Sequence, residues 1–331
     1  MIIRTLQVNR KFGFAYYVVF FCVACSSAMI TLKAYGQGLN SALAVDKIKQ
    51  VLFLGNSITY AGTYVNMFET YYIAQFPKHH LEVINEGLPS ETVSGLSEPN
   101  HADGRFPRPC LFTRLDSVLK KTDADVVFAC YGMNDGIYLP WNQQRFEAYK
   151  RGMIRLHQAL EVAGIKRIIF LTPPVHDDAI KGLEGYNKVL DRYAIWLLEQ
   201  RRERNWEVAD LHFPMKQYLI QRRRTEPDFK LADDGVHPGE LGHWLMTKAI
   251  LQYLDNLKHS SLNSLQDYLR TQSFLPKLYE VVSKRQTTMK DAWLTYTGHN
   301  RPGMTVGMPM SEAQKHYDEW ERVIDDLLAQ P

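Results

Sequence analysis

Cysteine is scarce in this chain. Only four of the 331 residues are Cys, and two of them, Cys22 and Cys25, fall within the first 36 positions. The remainder holds Cys110 and Cys130 alone, without a CxxC pair or a zinc-ligand spacing. A multiply disulfide-bonded scaffold and a zinc module are thereby excluded. Cys130 lies in an apolar run, which favours a buried free thiol; a single Cys110–Cys130 disulfide is the alternative. Internal repeats and low-complexity tracts are missing too, which argues against a solenoid. Acidic residues are absent from the first 36 positions, which carry four basic ones; without that segment the formal net charge goes from +3 to −1. The basic balance is thus a property of the N-terminus, and no nucleic-acid partner is expected. The clusters RRER at 201–204 and RRR at 222–224 read as solvated helix ends.

The N-terminus has the order of a targeting segment. Arg4, Arg10 and Lys11 precede the apolar run FGFAYYVVFFCVACSSAMITL at 12–32. Ala34 and Gly36 suit the small-residue rule for cleavage before Gln37. A cleaved signal peptide, a retained anchor and a lipid-modified Cys25 all fit, and all three export the rest of the chain, so any membrane association is expected through this segment alone.

Beyond it, apolar residues (45%) and charged residues (23%) are in the proportions of an ordinary globular protein. Short, nearly continuous apolar runs at 49–55, 81–86, 125–132, 166–172 and 206–211 alternate with helical patterns such as 143–163 and 186–205. Runs of that kind are strands covered on both faces, and the alternation predicts a parallel sheet between helical layers. The organisation expected is a leader at 1–36, a strand–helix domain at 47–258 and a helical extension at 259–331. The last helix of the extension is expected to bury Trp320, Val323, Ile324, Leu327 and Leu328.

In such sheets sites gather at the C-terminal ends of strands. The strand ends here read GNSIT, NEGLPSET, YGMNDG, TPPVHDD and, after one more helix, LADDGVHPGELGH. Ser57 is a helix cap or a nucleophile. Asn134 is a turn residue or an amide donor, with Asp135 fixing its loop. His237 is a loop residue or a base, and Asp234, three residues earlier, is close enough to orient it; Asp233 competes for that role. His176, Asp177 and Asp178 lack further ligands at metal spacing and read as a solvated loop, so neither a metal nor another cofactor is expected. Arg105, Arg108 and Tyr138 are candidate substrate contacts, and His299 and Arg301 candidates for reaching back from the C-terminal loop.

GNSIT, GMND and DGVHP, in this order over about 47–258, resemble the blocks of the SGNH (GDSL-like) hydrolase superfamily, with Asn56 where Asp is usual. The resemblance implies a three-layer α/β/α flavodoxin-like sandwich on a five-stranded parallel sheet, and metal-independent ester hydrolysis. It implies Ser57 as nucleophile, His237 as base and acid, and Asp234 as its orienting partner. The oxyanion hole it implies comprises the Ser57 N–H, the Ser90 N–H and the Asn134 side chain; Ser90 stands where the family usually has Gly, and Gly87 is the alternate to it. The Gly-x-Ser-x-Gly elbow of the other large esterase fold is not seen around Ser57. Export, aromatic loop residues and the lack of a lid-like apolar segment point to an acetylated carbohydrate as partner. A short-chain ester or lysophospholipid substrate, and a non-catalytic carbohydrate-binding protein on the same fold, are the alternatives.

Overall fold

The computed structural model describes Leu43 and residues 47–178, 185–254 and 261–329. The expected leader and the expected boundary at 258 lie outside the described residues. Five strands, β1 (Gln50–Gly55), β2 (Glu82–Gly87), β3 (Val126–Cys130), β4 (Arg167–Leu171) and β5 (Glu207–Ala209), form one parallel sheet in the order β2-β1-β3-β4-β5. Each apolar run expected as a strand becomes one. The pairing is shorter than the runs, most of all at β5. Between them run α1 (Ser57–Ala61), α2 (Thr63–Gln75), α3 (Leu115–Thr122), α4 (Gln143–Val162) and α5 (Asn187–Glu203). After β5 come α6 (His212–Arg223), α7 (Glu240–Tyr253), α8 (Leu265–Leu269), α9 (Leu275–Thr297) and α10 (Met310–Leu328).

Register explains why both strand faces are apolar. Phe53, Phe128 and Ile169 align across β1, β3 and β4, and so share one face. There Phe53 stacks on Phe128 at 4.8 Å, and Phe68 of α2 meets both rings edge-on. Leu54, Ala129 and Phe170 form the opposite face, where His157 of α4 lies 5.9 Å from the Phe170 ring. Helices therefore cover both sides of the sheet. Helix α4 stops at a Schellman arrangement: Gly164, at φ +80°, donates to Glu161 and Ile165 donates to Leu160.

Because β2 is an edge strand, its outward carbonyls need a cover. Helix α9 supplies one: Gln286 Nε2 donates to Val83 O and to Glu69 Oε2, both at 2.7 Å. Beside it Arg285, fully buried, pairs with Glu69 of α2 at 2.8 Å and with Glu321 of α10. On α10, Ala313 and Ile324 are buried and Trp320, Leu327 and Leu328 half-buried. Val323 is 41% exposed, contrary to expectation, because the buried stripe 313, 317, 320, 324, 327 passes it by.

Of two further expectations, the free buried thiol holds and the solvated arginine clusters are corrected. Cys110 and Cys130 are both free, and burial pushes the Cys130 thiol up to about 12. The arginine clusters are only partly solvated: Arg201 donates to Val208 O of β5, and Arg223 to Asp177 at 2.5 Å. No helix among the described residues is long and apolar enough to cross a membrane.

Glu69→Ala leaves Arg285 buried beside a single remaining carboxylate. It is expected to lower unfolding stability by about 3 kcal/mol, read from urea midpoints; a loss under about 1 kcal/mol would deny this pair a structural role.

Candidate active site

The order β2-β1-β3 makes the gap between the ends of β1 and β3 the point where the sheet's winding reverses. Ser57 follows β1 directly. It does not cap α1; that task falls to Asn56, whose Oδ1 accepts the Ile58 N–H at 3.0 Å. Ser57 Oγ is left to meet His237 Nε2 at 2.8 Å. His237 Nδ1 lies 2.6 Å from Asp234 Oδ2, while Asp234 Oδ1 accepts the N–H groups of Val236 and His237 at 2.9 and 2.8 Å. An ionised carboxylate only accepts, so Nδ1 carries the proton and Nε2 is free to accept from the serine hydroxyl. Burial favours the protonated Asp234, but hydrogen bonds from the His237 ring and the two backbone groups outweigh it and hold the carboxyl at about 2. Asp233, the competing acid, points to solvent.

Helix α1 can sit against the sheet because the strand ends are glycine. A Cβ on Gly55 would lie 2.1 Å from Thr59 Oγ1, and one on Gly87 would lie 2.2 Å from Tyr60 N. Gly87 cannot serve as the alternate donor, since its N–H is held by Asn85 Oδ1 at 2.9 Å. The next residues form a turn in which Glu91 N–H donates to Leu88 O at 3.1 Å, with Pro89 and Ser90 at its centre. Ser90 has φ +70°. Proline followed by a residue of positive φ is a type II turn, whose third position favours glycine. That is the physical content of the unusual serine: it occupies a glycine conformation. Neither the Ser57 nor the Ser90 N–H has a partner among the described residues.

Leu88 N–H donates to Gly55 O at 2.9 Å, so the turn begins beside the end of β1. Asn134 closes its other side: Nδ2 donates to Glu91 O at 3.1 Å, and Oδ1 accepts from Tyr138 OH at 3.0 Å. The second N–H of the amide has no partner among the described residues. The neighbouring Asp135, fully buried, accepts from the backbones of Val93, Ser94 and Gly132 at 2.8–2.9 Å. Adjacent side chains thus join the loops after β2 and β3.

The geometry and the family agree. The family described as GDSL-like Lipase/Acylhydrolase matches residues 53–245, more than half of the chain. The chain belongs to this family. It is a carboxylic ester hydrolase by that membership. No match is found among curated proteins. Among solved structures, an alpha/beta hydrolase enzyme from the metagenome of Lake Arreo, Spain, is similar at TM-score 0.51 and 21% identity, over 67% of this chain and 100% of that one. A catalytic mutant of an acetylxylan esterase from Geobacillus stearothermophilus gives 0.50 and 20%, over 66% and 96%. A gut microbial diltiazem-metabolizing enzyme gives 0.50 and 19%; 66% of this chain matches 48% of that one, about half its length. At these identities the likeness is one of fold.

Within this family member the candidate substrate contacts have other partners. Arg108 is buried, paired with Glu98 through two contacts of 2.7 Å, and lies 5.3 Å from the Tyr138 ring centroid. Arg105 is exposed and bonds within its own loop, to Ala102 O and Asp103. Tyr138 holds Asn134. The reading of 176–178 as a solvated loop is overturned, since His176 and Asp177 are buried. Asp177 accepts from Leu231, Ala232 and Arg223, and its N–H donates to Gly235 O at 2.6 Å. It is the support beneath the loop that carries Asp234 and His237. No group of three or more His, Cys, Asp and Glu side chains suited to a metal occurs among the described residues.

Sequence reasoning missed Asp177, Asn85 and the buried set Glu86, Glu91, Arg114 and Tyr131. The only signal was charge beside an apolar strand, in NEGLPSE.

Ser90→Gly removes a left-handed strain of about 1–2 kcal/mol for an L-residue and adds back chain entropy of about 0.5–1 kcal/mol. The variant is expected to melt at or slightly above wild type and to stay active, whereas a clear drop in melting temperature would refute the turn assignment. For Asp234, the folded carboxyl at about 2 lies below the free value of about 3.9. Its contribution is therefore full above about pH 4 and lost as pH falls through about 2. The melting-temperature gap between wild type and Asp234→Asn should narrow on acidification from about pH 5 to 2; a widening gap would contradict the assignment.

Proposed function

We propose that this ester hydrolase is an exported serine enzyme that removes acyl groups, acetyl foremost, from carbohydrate. The observation that carries the mechanism is the hydrogen-bond line from Asp234 through His237 to Ser57, 2.6 and 2.8 Å, at the winding reversal of the sheet. Ser57 Oγ attacks the ester carbonyl as its proton passes to His237 Nε2. Asp234 keeps the ring oriented and stabilises the imidazolium. The oxyanion is received by the N–H groups of Ser57 and Ser90 and by the free N–H of Asn134 Nδ2. Collapse expels the alcohol with the proton from His237, leaving Ser57 acylated. Water, deprotonated by the same nitrogen, then attacks the acyl-enzyme, and the acid leaves as Ser57 regains its proton.

An open, polar site supports the carbohydrate reading. The His237 and Asp234 side chains are 47% and 55% exposed. The hollow of about 430 Å³ beside them is lined by Lys230, Asp233 and Glu240 as well as Leu231 and Leu241. Side chains exposed in this way suit a hydrated, bulky alcohol and a short acyl group better than a long alkyl chain, which needs an apolar tunnel. The acetylxylan esterase of the same fold is consistent with that choice. Export is supported by the basic and apolar order of the first 36 residues.

Wild type should hydrolyse p-nitrophenyl acetate and release acetate from acetylated oligosaccharides faster than it cleaves long-chain acyl esters. Ser57→Ala should lower kcat on the order of 10⁶-fold, as for a fully coupled serine, histidine and aspartate set. Equal rates for the two proteins would remove Ser57 from the mechanism.

A further inference from the structure

The stretch between α9 and α10, residues 298–309, returns to the site. Arg301 Cζ lies 5.4 Å from the Phe106 ring centroid, and the His101 ring meets the same phenyl edge-on at 5.4 Å. Tyr60, one helical turn beyond Ser57, shares the nucleophile's face of α1. Its hydroxyl donates to Asp291 at 3.0 Å, and Lys290 Nζ lies 3.8 Å from its ring centroid. Burial first, then Asp291, pushes the Tyr60 phenol up, and the Thr305 side chain and then the charge of Arg301 oppose them. Burial, with the charges of Arg108 and Arg301, lowers His101 against the pull of Glu98. Arg301 therefore lies within electrostatic reach of both the nucleophile's helix and the loop after β2.

That loop leads back to the oxyanion side. His101 Nδ1 meets Glu98 at 3.3 Å, and Glu98 holds Arg108, which lies over Tyr138, the partner of Asn134. Contacts thus run around the site from Tyr60 to Asn134. The acids along this rim are already matched: Glu98 by Arg108, and Asp291 by the Tyr60 hydroxyl and the neighbouring Lys290. Arg301 is not. Among the described residues its Nη1 reaches only Pro302 O and Met304 Sδ. Its Nε is enclosed without a partner among the described residues, as is His101 Nε2. An uncompensated guanidinium with an unused donor, half-buried against the Phe106 ring and within electrostatic reach of the nucleophile's helix, is a group held ready for an anion.

We propose that Arg301, placed by Phe106 and flanked by His101, is an anion subsite. The substrate is then an ester of an acidic saccharide, bearing a carboxylate or a sulfate near the acyl group. This rests on the reading of Ser57 as the nucleophile of a carbohydrate esterase. A guanidinium matches either anion through paired N–H donors, whereas the ammonium of lysine supplies charge without the fork.

The test compares acetate release from acetylated uronate, acetylated sulfated and acetylated neutral oligosaccharides, with p-nitrophenyl acetate as reference, for wild type, Arg301→Gln and Arg301→Lys. Wild type should favour at least one anionic substrate, and which one distinguishes carboxylate from sulfate. In Arg301→Gln the ratio of kcat/KM on that substrate to kcat/KM on the neutral one should fall about 10- to 100-fold, mainly through KM, the loss of one charged hydrogen-bonding group. Arg301→Lys should retain part of the ratio, which a purely structural role of Arg301 does not predict. A ratio unchanged in Arg301→Gln, or a wild type without preference for either anion, overturns the subsite while leaving the esterase reading standing. A wild type inactive on every ester overturns both.

Discussion

A buried guanidinium organises the reactive end of this molecule. Arg114, at the start of α3, donates to both carboxylate oxygens of Glu91 at 2.7 and 2.8 Å and to Glu86 at 2.5 Å. Tyr131, just after β3, donates to Glu91 at 2.7 Å, and Thr297, at the end of α9, to Glu86 at 2.9 Å. All of these residues are buried. One cation faces two carboxylates: burial, opposed by Arg114 and Thr297, pushes the Glu86 carboxyl up. A charge set of this kind is expensive to bury and more expensive to break, so it fixes geometry rather than adding net stability. What it fixes is Glu91, whose own carbonyl receives Asn134 and whose N–H closes the turn that presents Ser90.

The same division recurs on the other side of the site. Asp177 secures the Leu231–Ala232 backbone and so carries the loop of Asp234 and His237. Asn85 ties the end of β2 to Thr59 O of α1 at 2.7 Å. The exposed Ser57–His237–Asp234 line is therefore held by buried polar residues one layer down. A site open to water can keep fixed distances only if its loops are anchored beneath it. The openness around His237 and Asp234 and the buried charge below are parts of one solution.

Much of this was legible in the chain. Five continuous apolar runs announced five strands covered on both sides, and the helix ending at Gly164 was readable from period and terminator. Ser57, Asn134, Asp234 and His237 stood out because they sit at strand ends, where parallel sheets collect side chains. The second loop was less legible. Ser90 looked like a departure from pattern because a side chain does not reveal its own φ. Asp177 looked like a loop charge and Arg114 carried no signal at all, since burial of a charge depends on partners tens of residues away. Val323 was misplaced because a loose apolar face on α10 allows more than one stripe.

Local chemistry alone determined the strand–helix alternation and the three-residue spacing that lets Asp234 reach His237. These depend on neighbours a few positions apart, and backbone geometry settles them. Only the tertiary structure decided that Ser57 is relieved of capping by Asn56 and meets His237 across 180 residues of chain. It alone brought Arg301 to the side of Phe106 and Tyr60, and removed Gly87 from the donors by giving its N–H to Asn85. Those outcomes turn on which polar groups find partners once the sheet closes, and pairing of that kind is set by long-range packing.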